Sequence, residues 1–183
     1  MLPVLAVMAV TDRSGVGAMT LLAALLHECG HFAAAAVLRI PLKCLKIDFL
    51  GARMELTSGL LPYGKEWLLC AAGPFASLLF AAVAAPLWSV THLAQIFSCA
   101  SLVLGLVNLL PINSFDGGRM LESFLCATFG SAVAARCGKV CSFLFLFLLW
   151  TCAVYLMLRA GNGMALFCFS VTLLLRFFDG GLP

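Results

Sequence analysis

The chain has 183 residues, of which 63% are hydrophobic and only 10% are charged. A soluble globular domain is about half apolar and about a quarter charged. One small core cannot bury this excess, because surface-to-volume scaling leaves too much apolar surface exposed. The composition therefore predicts an integral membrane protein with a single domain over residues 1–183. The net charge of +3 and the lack of any basic, aromatic-rich cluster do not indicate a nucleic-acid partner.

Several apolar runs are long enough to be membrane spans, which need roughly twenty residues. The sequence therefore predicts an all-α polytopic membrane protein with about five to six transmembrane helices. Leu2–Val10 is too short for a comfortable span, so whether it crosses the membrane stays open. The clearer runs are Val16–Leu38, Glu66–Trp88, Leu93–Leu110, Val140–Leu158 and Met164–Phe178.

The stretch between the first two long runs has a different pattern, because apolar and polar residues alternate in it. Over Ile40–Thr57 this alternation, on both sides of Gly51, predicts a small β-hairpin inserted after the first long helix. Open strand edges cannot face lipid. We therefore expect the hairpin at the membrane interface or against the helices, where its edge can pair with an extended peptide.

Lysine and arginine are unevenly distributed between the two ends of the predicted spans. With the spans alternating across the membrane, Arg13 and Arg159 fall on one side. The excess of positive charge marks the opposite side as cytoplasmic, which predicts a cytoplasmic C-terminus. The residues on that side are Arg39, Lys43, Lys46, Arg53, Lys65, Arg119, Arg136, Lys139 and Arg176.

The first long run contains an HExxH motif, which begins at His27 and Glu28 and ends at His31. Residues i and i+4 lie on the same face of a helix, so the two imidazoles can hold one metal ion. Zinc lowers the pKa of a water molecule toward neutrality, and a nearby carboxylate such as that of Glu28 can take the proton. Ionisable residues are costly within an apolar span, so the motif favours a metal site over a solvated polar face.

A catalytic zinc ion needs a third protein ligand and an open fourth position. Asp116 is the predicted third ligand, in the segment Asn108-Leu-Leu-Pro111-Ile-Asn-Ser-Phe-Asp116-Gly-Gly. Pro111 interrupts the helix, and the two glycines allow a tight turn. An interrupted helix at membrane depth is tolerated where it lines a cavity. Alternation of the spans places this segment toward the same side of the membrane as HExxH.

Other residues compete for the third position. His92, the remaining histidine, is predicted to lie in a loop on the opposite side of the membrane. The string Asp179-Gly180-Gly181 repeats Asp-Gly-Gly but lacks the upstream Asn and Pro, so we interpret it as a frayed tail. Glu122 or Glu66 would serve if the chain were another kind of membrane zincin, with Glu as the third ligand.

HExxH in one membrane helix and NxxPxxxxDG in a later one together resemble the site-2 protease family of intramembrane metalloproteases, peptidase family M50. The segment Ala72-Gly73-Pro74 is similar to the Gly-Pro helix of that family. The compact layout without a PDZ domain is closest to its sporulation-type branch. The chain departs from the family at Ser77, where members often carry Asn, so a substrate-clamping function is not carried over to that position.

The resemblance implies that Zn²⁺ is bound by His27, His31 and Asp116 and that Glu28 is catalytic. It also implies that Asn108 contacts the substrate backbone or the developing oxyanion, with Pro111 as a further substrate contact. The implied function is hydrolysis of peptide bonds in or near transmembrane segments of membrane-bound substrates, together with a regulatory membrane partner. The implied location is the bacterial cytoplasmic membrane, with the active site toward the cytoplasm. A non-catalytic metal-binding membrane protein, such as a transporter, is the alternative from another class.

Overall fold

The computed structural model describes residues 14–40, 42–48, 51–56, 61–160 and 164–178. These residues divide into two compact units, Met1–Leu109 and Leu110–Pro183. A 3-10 helix, Ala85–Ser89, joins the second and third α-helices. The elements are α1 (Val16–Val37), β1 (Leu42–Asp48), β2 (Gly51–Leu56), α2 (Tyr63–Ala84), α3 (His92–Asn108), α4 (Asp116–Phe129), α5 (Ser131–Ala160) and α6 (Met164–Phe178).

The predicted number of five to six transmembrane helices is wrong for the described residues. Three helical segments there are long and apolar enough to cross a membrane, namely Val16–Val37, Tyr63–Ser89 and Ser131–Arg159. The helix α3 is apolar but has only 17 residues, or about 26 Å at 1.5 Å per residue, against a hydrocarbon core of about 30 Å. Leu166–Phe178 is also short. The segment Leu2–Val10 lies outside the described residues.

The fold is also not purely helical, because β1 and β2 pair as an antiparallel two-stranded sheet. Leu42 lies opposite Leu56 and Asp48 opposite Gly51, so Gly51 begins a strand and is not the centre of a turn. Residues 49–50 and 57–60 lie outside the described residues, so the predicted hairpin over Ile40–Thr57 is not shown as a whole. Alternation indicates which residues can pair, but it does not locate the turn.

In the first unit, α2 packs against both α1 and α3. Small residues allow these close approaches, as is usual for helices that pack in lipid. A Cβ atom on Gly30 of α1 would lie 2.7 Å from the Ala72 carbonyl oxygen of α2. On the other side of α2, the Ser98 hydroxyl of α3 donates a 2.7 Å hydrogen bond to the Ala81 carbonyl. The helix α1 also packs directly against α3, so the three helices contact one another.

In the second unit, α5 packs against α4 and α6. The loop before α4 is part of its core, because Ile112 is 1% exposed and Phe115 is 8% exposed. The Phe115 ring stacks on Phe169 of α6 with 6.4 Å between centroids. The chain thus holds the start of α4 by burying apolar side chains from the preceding loop.

Candidate metal centre

The two histidines of HExxH lie side by side on α1. Their Nε2 atoms are 3.3 Å apart, and their rings meet edge to face at an interplanar angle of 82°. Zinc–nitrogen bonds of about 2.0–2.1 Å in a tetrahedral site place two ligand nitrogens about 3.3–3.4 Å apart. The spacing of the His27 and His31 nitrogens therefore fits one edge of a zinc coordination tetrahedron.

Both imidazoles make a second hydrogen bond to α2 through the other ring nitrogen. His27 Nδ1 lies 2.9 Å from the Ser77 hydroxyl oxygen, and His31 Nδ1 lies 2.8 Å from the Leu69 carbonyl oxygen. A carbonyl oxygen only accepts, so His31 carries its proton on Nδ1 and keeps the Nε2 lone pair for a ligand. Ligating histidines almost always have an outer partner of this kind.

The helix α2 also provides the space that the His31 ring occupies. A Cβ atom on Gly73 would overlap the Nε2, Cε1 and Cδ2 atoms of that ring. The neighbouring Pro74 is buried within α2. The Gly-Pro pair recognised in the sequence therefore has a direct structural function here, because only a glycine lets α2 approach the imidazole.

Glu28 lies in α1 next to His27 and is half-buried. One residue corresponds to a rotation of about 100° around the helix, so position 28 lies on the flank of the histidine face. A carboxylate at that position can accept a proton from a water molecule held near the two imidazoles.

Asp116, the predicted third ligand, is the first residue of α4 and is half-buried. A carboxylate in the first helical turn is stabilised by the helix dipole. The turn before it is tight, because a Cβ atom on Gly118 would overlap the Ile112 carbonyl group. Gly118 therefore allows the loop to fold back onto the first turn of α4 and sets where the Asp116 backbone lies within the second unit.

A buried serine of α5 anchors the same loop. The Asn113 N–H donates to the Ser142 hydroxyl at 3.0 Å, and that hydroxyl donates to Asn113 Oδ1 at 2.9 Å. The Pro111 carbonyl oxygen also faces Ser142, at 3.5 Å. Ser142 has no exposed surface. Pro111, predicted to contact substrate, thus lies in a loop whose polar backbone is satisfied by α5.

Asn108, the other predicted substrate contact, is the last residue of α3. Its Nδ2 donates one hydrogen bond of 2.9 Å to the Leu104 carbonyl. An amide nitrogen carries two N–H bonds, so one donor remains beyond this bond. The side chain is half-buried.

The structure corrects the prediction for His92 and locates the alternative carboxylate ligands. His92 was predicted to be a loop residue but is the exposed first residue of α3. The preceding residue, Thr91, caps this helix, because its hydroxyl accepts a hydrogen bond from the Ala94 N–H. This capping signal was visible in the sequence. Glu122 is exposed on α4, and Glu66 is half-buried in the first turn of α2. Asp179 lies outside the described residues.

Sequence reasoning missed the structural functions of Ser77 and Ser142. Each is a single hydroxyl in a long apolar run. Such isolated polar residues in a span usually face the helix bundle and find a partner there. That signal could have indicated a buried contact, but not which residue would be the partner.

Comparisons with known proteins agree with the motif resemblance. Residues 84–152 match the model of the family described as peptidase family M50. The "Putative zinc metalloprotease Rip3" of Mycobacterium tuberculosis, from strain Erdman and from strain H37Rv, is 33% identical over 140 residues. The match covers 68% of this chain and 36% of the relative, so the chain spans about a third of the length of these curated relatives.

A solved structure shows the same fold. The "Site-2 Protease from Methanocaldococcus jannaschii" matches with a TM-score of 0.66 at 19% sequence identity, over 97% of this chain and 84% of that chain. With the apolar helices, this defines an integral membrane protein of the site-2 protease fold. The comparisons confirm the resemblance to peptidase family M50 that the two sequence motifs carry.

Proposed function

We propose that this chain is an intramembrane zinc metalloprotease that hydrolyses peptide bonds in or near transmembrane segments of membrane-bound substrates. The observation that carries the proposal is the pair His27 and His31, whose Nε2 atoms are 3.3 Å apart on a helix able to cross the membrane. Glu28 beside them supplies a carboxylate. The resemblance to family M50 and the zinc metalloprotease name of the relative support the same chemistry.

The proposed zinc ligands are His27, His31 and Asp116. Each offers one ligand atom, an imidazole nitrogen or a carboxylate oxygen, and two histidines with one carboxylate are an established ligand set for catalytic zinc. Three protein ligands leave a fourth position for water or substrate. The whole of 1–183 would act as one metalloprotease domain.

When bound, zinc would polarise the scissile carbonyl and lower the pKa of the attacking water. Glu28 accepts one proton from this water while its oxygen adds to the carbonyl carbon. Glu28 then delivers the proton to the leaving nitrogen as the carbon–nitrogen bond breaks. One water is consumed, and a carboxyl and an amino terminus are formed. The second N–H of Asn108 would donate a hydrogen bond to the developing oxyanion or to the substrate backbone. Pro111 would line the substrate-binding site next to it.

A substrate helix in lipid has all its backbone hydrogen bonds made internally. It must therefore unwind locally before water can attack its carbonyl. On the analogy of the family, we place the protein in a bacterial cytoplasmic membrane, with the site toward the cytoplasm. A regulatory membrane partner that controls substrate entry completes the proposal, on the analogy of the family.

The proposal is tested by co-expressing the full chain with candidate single-span membrane proteins. The wild type and Glu28→Gln are compared for shortening of each candidate. We expect a shorter product only with the wild type, because glutamine cannot accept the proton. Equal shortening by both proteins would refute the proposed mechanism.

A further inference from the structure

We propose that Ser77 is a positioning residue that orients the His27 imidazole for metal binding. The inference rests on the proposed function, because it assumes that His27 is a ligand. It goes beyond that function by assigning an outer partner to one ligand. Ser77 occupies a position where the family resemblance offered no carried-over function, so the assignment comes from this structure alone.

The contact is short and enclosed. Ser77 Oγ lies 2.9 Å from His27 Nδ1; Ser77 is 1% exposed and His27 is 5% exposed. From α3, a Cβ atom on Gly105 would lie 3.2 Å from Ser77 Cβ. Ser77 therefore contacts both α1 and α3 and is enclosed by them.

The chemistry of imidazole explains why this partner matters. A neutral ring has one N–H and one nitrogen lone pair, and the hydrogen bond at one nitrogen determines which nitrogen binds a metal. When the Ser77 hydroxyl accepts from Nδ1–H, the lone pair is placed on Nε2. That is the His27 nitrogen that lies 3.3 Å from His31 Nε2.

The two histidines have outer partners of different kinds. His31 is held by the Leu69 backbone carbonyl, which no side-chain substitution removes. His27 is held by a side-chain hydroxyl, which a substitution can remove. Ser77 is thus a side-chain group through which the orientation of the His27 ring can be altered without changing a ligand.

A matched control lies in the interface between α2 and α3. Ser98 is 3% exposed, and its hydroxyl bonds across from α3 to the Ala81 carbonyl of α2. Ser98→Ala removes a buried hydroxyl and an interhelical hydrogen bond but does not touch either histidine. A loss of zinc affinity that both alanine variants share therefore reports a change in helix packing. A loss of zinc affinity found only in Ser77→Ala reports the contact to His27.

The experiment measures zinc affinity of the full chain in detergent by competition with a chromogenic chelator. We expect Ser77→Ala to bind zinc about 10- to 100-fold more weakly, the range found for outer partners of metal ligands. Ser98→Ala should bind like the wild type. Ser77→Thr keeps the hydroxyl and should retain affinity. Thermal unfolding of each variant identifies misfolded protein, and Ser77→Gly provides a second deletion of the hydroxyl.

Cobalt substitution gives a second readout that does not depend on activity. The visible absorption of bound Co²⁺ should change in Ser77→Ala and stay as in the wild type in Ser98→Ala, because only the first variant releases a ligand ring. Wild-type zinc affinity in Ser77→Ala and Ser77→Gly overturns the inference, as does an equal loss in Ser77→Thr. Equal zinc binding by the wild type and His27→Ala would instead refute the proposed metal centre.

Discussion

Gly73 of α2 lies directly against the imidazole of His31 on α1, so that any side chain at position 73 would overlap the ring. The same ring is tied to α2 by the hydrogen bond from Nδ1 to the Leu69 carbonyl. One helix thus both leaves room for the imidazole and orients it. This relationship makes the α1–α2 contact part of the metal centre.

The first prediction is that Gly73→Ala weakens zinc binding by at least about tenfold, since the His31 ring must move. An alanine within a helix is otherwise about 1 kcal/mol more favourable than glycine, so a loss cannot come from helix propensity. Zinc content after dialysis against a chelator measures the effect. Gly64→Ala, in the first turn of α2 with nothing within 4 Å of the new methyl group, is the matched control. Wild-type zinc content in Gly73→Ala would contradict the steric argument.

The second prediction concerns the third ligand. Asp116→Ala should lose zinc or bind it weakly, because only two protein ligands remain. Glu122→Ala and Glu66→Ala should retain full zinc content by metal analysis of the purified protein. If Asp116→Ala kept its full zinc content and one of the glutamate variants lost zinc, that glutamate would be the third ligand. The chain would then be another kind of membrane zincin.

The third prediction separates catalysis from metal binding. Glu28→Gln should keep one zinc per chain and lose cleavage by about 10²- to 10⁴-fold, the usual contribution of a general base. Cleavage is measured on a substrate identified by co-expression, and zinc by metal analysis. A variant that binds zinc and cleaves at the wild-type rate would exclude Glu28 as the general base.

The fourth prediction concerns the loop before Asp116. Ser142→Ala leaves the Asn113 N–H and side-chain oxygen without their hydroxyl partner, which costs about 1–3 kcal/mol for a buried group. We expect a lower unfolding temperature and faster proteolysis within residues 109–115.

Ser170→Ala serves as the control for that prediction. Ser170 is equally buried, but its hydroxyl donates only to the Phe167 carbonyl of its own helix. If both alanine variants lower the unfolding temperature by the same amount, Ser142 is not a specific anchor of the loop.

Much of the site could be predicted because the relevant information is local. The i, i+4 spacing of His27 and His31 predicts two ligands on one helix face, since a helix brings such residues together in any protein. The apolar composition likewise predicts a membrane protein without any knowledge of packing. The two motifs were sufficient to indicate family M50, which the comparisons confirmed.

Predictions that depended on where an element begins or ends were less accurate. The run Leu93–Leu110 was interpreted as a full span, although α3 has 17 residues and ends at Asn108. Hydropathy and alternation are spread over many residues, so they locate an element more reliably than its ends.

Contacts between distant parts of the chain emerged only from the packing of the helices. Ser77 is 50 residues from His27, and Leu69 is 38 residues from His31. Which residue of α2 meets each imidazole depends on the depth and rotation of one helix against another. Composition and motif spacing were therefore enough for the membrane class, the family and the candidate ligands. The partners that orient those ligands required the folded structure, because helix register is a property of the whole bundle.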